Sequence, residues 1–259
     1  MNISGKEMLL AAQAANHSLI GAGLDECLYN PKLIDGVADQ VCMYKIDPAA
    51  YAPHGHVGLS ELRDNISHIR HYAPNIPIIF DKKYDGSARA NEFYAKEAFD
   101  FLKVDGVTVG PYNGMDTFEP FLERKDKLIF VVCKTSNTGS EEFQDELVSM
   151  PGTAHRIPLY QKMAHRVATE WNKNGNCGVV VGATFPRALA LVRRAVGDDI
   201  TILSPGGGDY QGADVVTAFH SGKNSLGTGI VIHFSRQFEN AASPRDEATR
   251  LRHLINQQG

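Results

Sequence analysis

Eight short apolar runs recur along the chain, separated by longer amphipathic stretches. They are Leu19–Leu24, Val41–Ile46, Ile76–Phe80, Gly106–Val109, Leu128–Cys133, Cys177–Gly182, Ile200–Leu203 and Gly229–Phe234. Each is rich in Val, Ile, Leu or Phe and too short for a helix, which is the pattern of parallel strands buried on both faces. Helical segments lie between most of them. Ala90–Leu102 places Phe93, Ala98 and Phe101 near one face, and Leu159–Trp171 repeats the pattern with Leu159, Met163, Val167 and Trp171. Eight strands alternating with helices predict an α/β fold closed as a (β/α)₈ TIM barrel, with an open doubly wound sheet as the alternative. The chain has 259 residues, 43% of them hydrophobic, which suits one such barrel. No linker, low-complexity tract or charge block divides it, so residues 1–259 are read as a single domain.

Charge and cysteine usage exclude several classes of function. A formal net charge of -4 argues against a general nucleic-acid binder, which carries a basic excess. No apolar run approaches the roughly 20 residues that span a bilayer, and Met1 to Gln13 lacks the pattern of a signal peptide. Cys27, Cys42, Cys133 and Cys177 form no CxxC pair, and three of them sit in or beside strand-like runs. Buried thiols in a reducing, cytoplasmic compartment are expected, without membrane association. The histidines show no metal-ligand spacing, with His54 and His56 read as loop residues, so no metal site is predicted. Trp171 is read as helix packing.

Polar residues gather at the downstream ends of the predicted strands: Asp25, Lys45, Asp81 with Lys83, Ser136, Thr184, the glycines after Pro205, and Ser235 with Arg236. In an α/β barrel these ends open onto one face, where chemistry is placed. Asp81 and Lys83 are two apart, so strand alternation points both to one side, and Lys45 on the neighbouring strand is placed to join them. Charges about 4 Å apart interact by roughly 4 kcal/mol at an effective dielectric of about 20. A lysine held by carboxylates keeps its proton and can serve as a positioned acid. The residues also allow a plainer account, in which Asp81, Lys82, Lys83 and Asp85 form a solvated charged turn.

A second constellation follows the seventh run: Ser204-Pro205-Gly206-Gly207-Gly208-Asp209-Tyr210-Gln211-Gly212. Glycines let backbone N–H groups approach a phosphate closely, and the loops after strands seven and eight are where such barrels hold one. Arg236, just past the eighth run, suits a bidentate contact to phosphate oxygens. An ordinary loop beside a surface arginine is the alternative. Asp25 is a candidate for a sugar hydroxyl or a helix cap, and Ser136 with Asn137 for a base edge or a turn.

From about Leu19 to Ala241 the chain resembles the bacterial form of the orotidine 5′-phosphate decarboxylase family. The resemblance is carried by Gly23-Leu24-Asp25, Cys42-Met43-Tyr44-Lys45, Asp81-Lys82-Lys83, Val107-Thr108-Val109 with Pro111-Tyr112, and Cys133-Lys134-Thr135-Ser136-Asn137 with Phe143-Gln144. Downstream it continues through Trp171-Asn172, Asn176-Cys177-Gly178, Val181-Gly182-Ala183-Thr184, Pro205-Gly206 with Gln211-Gly212, and Ser235-Arg236. It implies a lyase that decarboxylates a pyrimidine nucleoside 5′-monophosphate, a homodimer, and no metal or organic cofactor. In the family a Lys–Asp–Lys–Asp array surrounds C6 of the pyrimidine, and Lys45, Asp81 and Lys83 match its first three members. The resemblance makes Lys83 the proton donor to C6 and sets Asp81 against the departing carboxylate. It assigns Asp25 to the ribose, Ser136 to the pyrimidine amide, and Gln211 with Arg236 to the 5′-phosphate.

One stretch departs from the family. Its motif, Asp-x-Lys-x-x-Asp-Ile-Gly followed two residues later by Thr, is here Asp81-Lys82-Lys83-Tyr84-Asp85-Gly86-Ser87-Ala88-Arg89-Ala90. Gly86 occupies the place of the second aspartate, which in the family reaches across the dimer, and Ala90 that of the threonine. The loop Gly208-Asp209-Tyr210-Gln211 is one residue longer, and Thr138 replaces a proline. Asp85 and Arg89 are therefore candidate contacts of an altered loop. A diverged paralogue acting on a different nucleotide and a non-catalytic nucleotide-binding protein stand as alternatives to the decarboxylase.

Overall fold

The computed structural model describes residues 3–25, 29–150, 155–208 and 212–258. Eight parallel strands close into a barrel in the order β1-β10-β9-β8-β5-β4-β3-β2. In chain order they are β1 (Ile20–Leu24), β2 (Met43–Ile46), β3 (Ile78–Tyr84), β4 (Gly106–Val109), β5 (Leu128–Lys134), β8 (Cys177–Val181), β9 (Ile202–Pro205) and β10 (Ile230–Phe234). Two further short strands, β6 (Leu147–Ser149) and β7 (Arg156–Pro158), pair antiparallel outside the barrel. Most barrel strands are buried on both faces, which is why their sequences run apolar without alternation.

The helices between the strands are α2 (Pro31–Val37), α3 (Gly55–Tyr72), α4 (Ala88–Ala95), α5 (Met115–Leu122), the short α6 (Glu141–Gln144), α7 (Leu159–Arg166), α8 (Pro186–Val196) and α9 (Val215–Gly222). The helix α1 (Gly5–Asn16) precedes the barrel, while α10 (Arg236–Glu239) and α11 (Pro244–Asn256) follow its last strand. Among the described residues, no helix is long and apolar enough to cross a membrane. Cys42, Cys133 and Cys177 are buried free thiols, and Cys27 lies outside the described residues.

Two local expectations need correction. The stretch Ala90–Leu102 does not present one apolar face, and α4 is followed by a π-helical stretch at Lys96–Phe101. Ala98 is buried while Phe93, on α4 before that stretch, and Phe101, at its end, are exposed. Arg89 and Lys96 lie over the Phe93 ring, and Arg63 over that of Phe101. The seventh run also begins later than its apolar residues suggest, at Ile202 instead of Ile200. The Ile200 carbonyl accepts from the buried Arg193 guanidinium, which also takes the carbonyls of Gly197, Gly222 and Gly229. That side chain ties the ends of several segments together before the strand starts.

Candidate active site

A continuous line of charge crosses the downstream ends of β1, β2 and β3. Lys45 Nζ donates to Asp81 Oδ2 at 2.6 Å and lies 3.7 Å from Asp25 Oδ1. On the far side, Lys83 Nζ lies 3.1 Å from Asp81 Oδ1 and 3.4 Å from Asp47 Oδ2. Asp81 also accepts a 2.8 Å hydrogen bond from the Thr108 hydroxyl on β4. Lys45 and Asp81 are buried, whereas the Lys83 side chain is 49% exposed. Anions and cations alternate along the order Asp25, Lys45, Asp81, Lys83, Asp47.

The field within this line keeps its buried members ionised. Burial by itself would lower the Lys45 pKa, but the charges of Asp81, Asp25 and Asp47 outweigh it and hold the ammonium above the ordinary lysine range. Burial likewise opposes ionisation of Asp81. The Lys45 and Lys83 charges, with hydrogen bonds from Lys45 and Thr108, hold its carboxyl well below the usual carboxylate range.

Lys83 does not reach Asp81 by simple strand alternation. The pairing of β3 with β4 runs Phe80 to Val107 and then Tyr84 to Val109, so β3 carries extra residues that bulge out between them. At the bulge Lys83 takes φ +51°, a left-handed conformation that costs a non-glycine residue about 1–3 kcal/mol. Its N–H donates to Thr108 Oγ1 at 2.9 Å, and the same hydroxyl donates to Asp81. Thr108 thus couples the strained backbone to the buried carboxylate.

Beside this line lies a small open cavity, lined by Asp25, Lys45, Ser136, Gly206, His233 and Arg236 among others. Ser136 is set at the wall by a 2.9 Å hydrogen bond from Thr184 Oγ1 to its carbonyl. Asp81 and Lys83 line an adjoining cavity together with Asp47. The Lys45–Asp81 ion pair links the wall of the first cavity to that of the second. Gln211 lies outside the described residues.

The altered loop after β3 does not bring Asp85 or Arg89 to the lysines. Asp85 is exposed, and its Oδ1 accepts from Asn113 Nδ2 at 2.8 Å. Arg89 is exposed with its guanidinium over Phe93. Gly86 is clasped by the buried Asn91, whose Oδ1 accepts from the Gly86 N–H while its Nδ2 donates to the Gly86 and Thr117 carbonyls. A Cβ at Gly86 would stand 2.9 Å from Asn91 Oδ1, so a side chain there requires that clasp to open.

Three residues of the site carry no assignment from sequence: Asp47, Thr108 and His233. Asp47 stands two residues after Lys45, so the same two-residue spacing that drew attention to Asp81 and Lys83 was also a signal for it. His233 interrupts the apolar β10, which is unusual for a strand buried on both faces. It is buried against the cavity, and its Nε2 has no hydrogen-bond partner among the described residues. Gly23 makes room for it: a Cβ there would overlap Ser235 Oγ and stand 2.8 Å from His233 Cε1. Among the described residues, no cluster of three or more His, Cys, Asp or Glu side chains is disposed to hold a metal ion.

Burial, and after it the Lys45 charge, push the His233 pKa well below the usual histidine value, so the ring is neutral at pH 7. Between that depressed value and about 6.5 the unfolded chain binds more protons than the folded one, so stability rises with pH there. Thermal stability is therefore expected to fall on acidification below about pH 6.5, by up to about 1.4 kcal/mol per pH unit from this group. His233→Gln should flatten that limb in melting curves taken from pH 7 to 5. An unchanged limb would remove His233 as its source.

Sequence and structure comparisons agree on kinship. A family model described as Orotidine 5'-phosphate decarboxylase / HUMPS family matches residues 24–250. Orotidine 5'-phosphate decarboxylase of Bordetella pertussis is 39% identical over 231 residues, covering 86% of this chain and 82% of that protein. The protein of the same name from Ralstonia pickettii is 36% identical over 264 residues, covering 96% and 94%. The structure of Leishmania donovani OMP decarboxylase superposes with a TM-score of 0.86 at 31% identity, covering 99% of this chain and 98% of that one. That of Leishmania donovani UMP synthase gives 0.91 at 33% identity and covers 99% of this chain but only 57% of the other. This chain belongs to the orotidine 5'-phosphate decarboxylase / HUMPS family.

Proposed function

We propose that the protein is a carboxy-lyase that converts orotidine 5′-phosphate to UMP, with Lys83 delivering the proton. The observation that carries this reading is the Lys45–Asp81–Lys83 line, with separations of 2.6 and 3.1 Å, beside a cavity that Arg236 also lines. The pyrimidine carboxylate sits against Asp81, and like-charge repulsion there is relieved as carbon dioxide leaves. The C6–carboxylate bond breaks, its electron pair stays on C6, and the Lys45 and Lys83 ammonium groups stabilise that charge as it develops. Lys83 then transfers a proton to C6, giving UMP. Because these charges are held in place before substrate arrives, little reorganisation is needed during the reaction.

Arg236 and Gln211 take the 5′-phosphate, Asp25 the ribose and Ser136 the pyrimidine amide, while neutral His233 offers a ring nitrogen to the same ligand. Binding at the phosphate end serves the reacting end by fixing the ring against the lysines. We place the enzyme in the cytoplasm as a homodimer. The exposed Phe101, Tyr112 and Phe143 line cavities on either side of Lys83, apolar surface that suits a second copy of the chain.

An absorbance assay with orotidine 5′-phosphate, paired with calorimetric titration of UMP and uridine, tests the reading. Turnover is expected, and Arg236→Ala should weaken UMP by about 10- to 100-fold, the range of a lost charged hydrogen-bond pair. Uridine should bind the two proteins alike. UMP binding without turnover would move the substrate elsewhere, and equal weakening of both ligands would remove the phosphate role from Arg236.

A further inference from the structure

Resting on the decarboxylase reading, we propose that Asp47 is a positioning residue for the reaction. Its carboxylate supplies, from the same chain, the second anion that holds the Lys83 ammonium in place. Among the described residues, the ion pairs of Lys83 are with Asp81 at 3.1 Å and Asp47 at 3.4 Å. The loop after β3 contributes no other anion: Asp85 is taken by Asn113, and position 86 has no side chain and no free room for one. With Asp47 in the line, the charges around Lys83 are completed without a carboxylate from a partner subunit.

The direction of the Asp47 carboxylate is set by its own backbone. Asp47 caps the 3₁₀ turn Pro48–Ala50, and its Oδ1 accepts from the Ala49 N–H at 2.9 Å. Pro48 occupies the first position of that turn, where its fixed φ and missing N–H cost nothing. One carboxylate oxygen is thereby anchored, and Oδ2 is turned to Lys83. A half-exposed lysine facing a single carboxylate keeps many rotamers, because its ammonium is a compact charge on a flexible stem. A second carboxylate, itself immobilised, narrows that set. The Asp47 charge also acts on Lys45, whose ammonium it helps hold above the ordinary lysine range against the opposing effect of burial.

An exposed ion pair adds little to stability, so the effect belongs in the rate. A donor displaced by about 1 Å can cost about 100-fold. Asp47→Asn separates the charge from the cap, since an asparagine oxygen still accepts the Ala49 N–H. In the full-length enzyme, D47N is expected to lower kcat by about 10- to 100-fold, with KM and UMP affinity within about threefold of wild type. Its melting temperature should stay within about 2 °C. D47A should lose the same rate and also the cap.

If D47N keeps kcat within about threefold while D47A loses activity, Asp47 is a cap and the proposal falls. A crystal structure of D47N with UMP bound reads placement directly. Lys83 Nζ is expected to leave its position beside Asp81, and an unmoved Lys83 overturns the proposal whatever the rates. Wild-type protein that fails to decarboxylate orotidine 5′-phosphate would defeat the functional reading instead, and the D47N structure would then decide the role of Asp47 alone.

Discussion

Lys83→Ala is expected to lower kcat on orotidine 5′-phosphate by about 10²- to 10⁴-fold, the range that a positioned general acid contributes. On the proposed mechanism the substitution removes the proton donor to C6 and one of the two ammonium groups that stabilise the developing carbanion. Arg236, to which the proposed function assigns the phosphate, is untouched, so UMP affinity should change by less than about tenfold. A structural objection can be met at the same position. Lys83 sits at φ +51°, where alanine remains strained and glycine does not. Lys83→Gly should therefore be at least as stable as Lys83→Ala, and just as inactive. Steady-state kinetics with thermal melts of both variants separate lost chemistry from lost fold. Turnover by Lys83→Ala within about tenfold of wild type would remove Lys83 from the reaction.

The barrel was legible because burial on both faces writes itself into a strand as an uninterrupted apolar run. The runs at Gly106–Val109 and Gly229–Phe234 fall on β4 and β10 nearly to the residue. Periodicity failed where tertiary contacts set the local geometry. Nothing in Ala90–Leu102 announces the π-helical stretch, or that Phe93 and Phe101 sit exposed under cations. At β3, alternation put Asp81 and Lys83 on one side, and the structure brings them together through a bulge and a positive φ instead. The position of Gly86 depends on Asn91, a side chain whose pairing with Thr117 spans 26 residues. Asp47 escaped notice for a different reason: an Asp-Pro pair at the end of a strand reads as a cap, which it also is. His233 was visible as a lone polar residue in an apolar run, but only the fold shows that it faces a cavity.

Asp81→Ala is expected to produce the largest loss of stability among single changes at this site. Asp81 lies between a buried lysine and a half-exposed one, and only the buried neighbour makes its removal costly. Without it the Lys45 ammonium stays buried with one carboxylate, Asp25, at 3.7 Å. Removing one member of a buried ion pair typically costs about 3–5 kcal/mol, because the remaining charge is left without compensation. For a chain of this size that corresponds to a fall in melting temperature of roughly 6–20 °C. Replacing both members by apolar residues of similar volume, Lys45→Met with Asp81→Leu, should recover most of that loss while leaving the enzyme inactive. The pH dependence follows from the directions of the two shifts. The depressed Asp81 pKa contributes stability that is present above about pH 3.9 and is lost as pH falls through the folded-state value. The raised Lys45 pKa contributes stability that is present below about pH 10.4 and is lost as pH rises through its folded-state value. Denaturant melts across that range should show the wild type losing stability at both extremes, and the double variant losing less. If Asp81→Ala unfolds within about 1 kcal/mol of wild type, the pair carries no such weight, and Asp81 is held at the barrel mouth by Thr108 and local backbone alone.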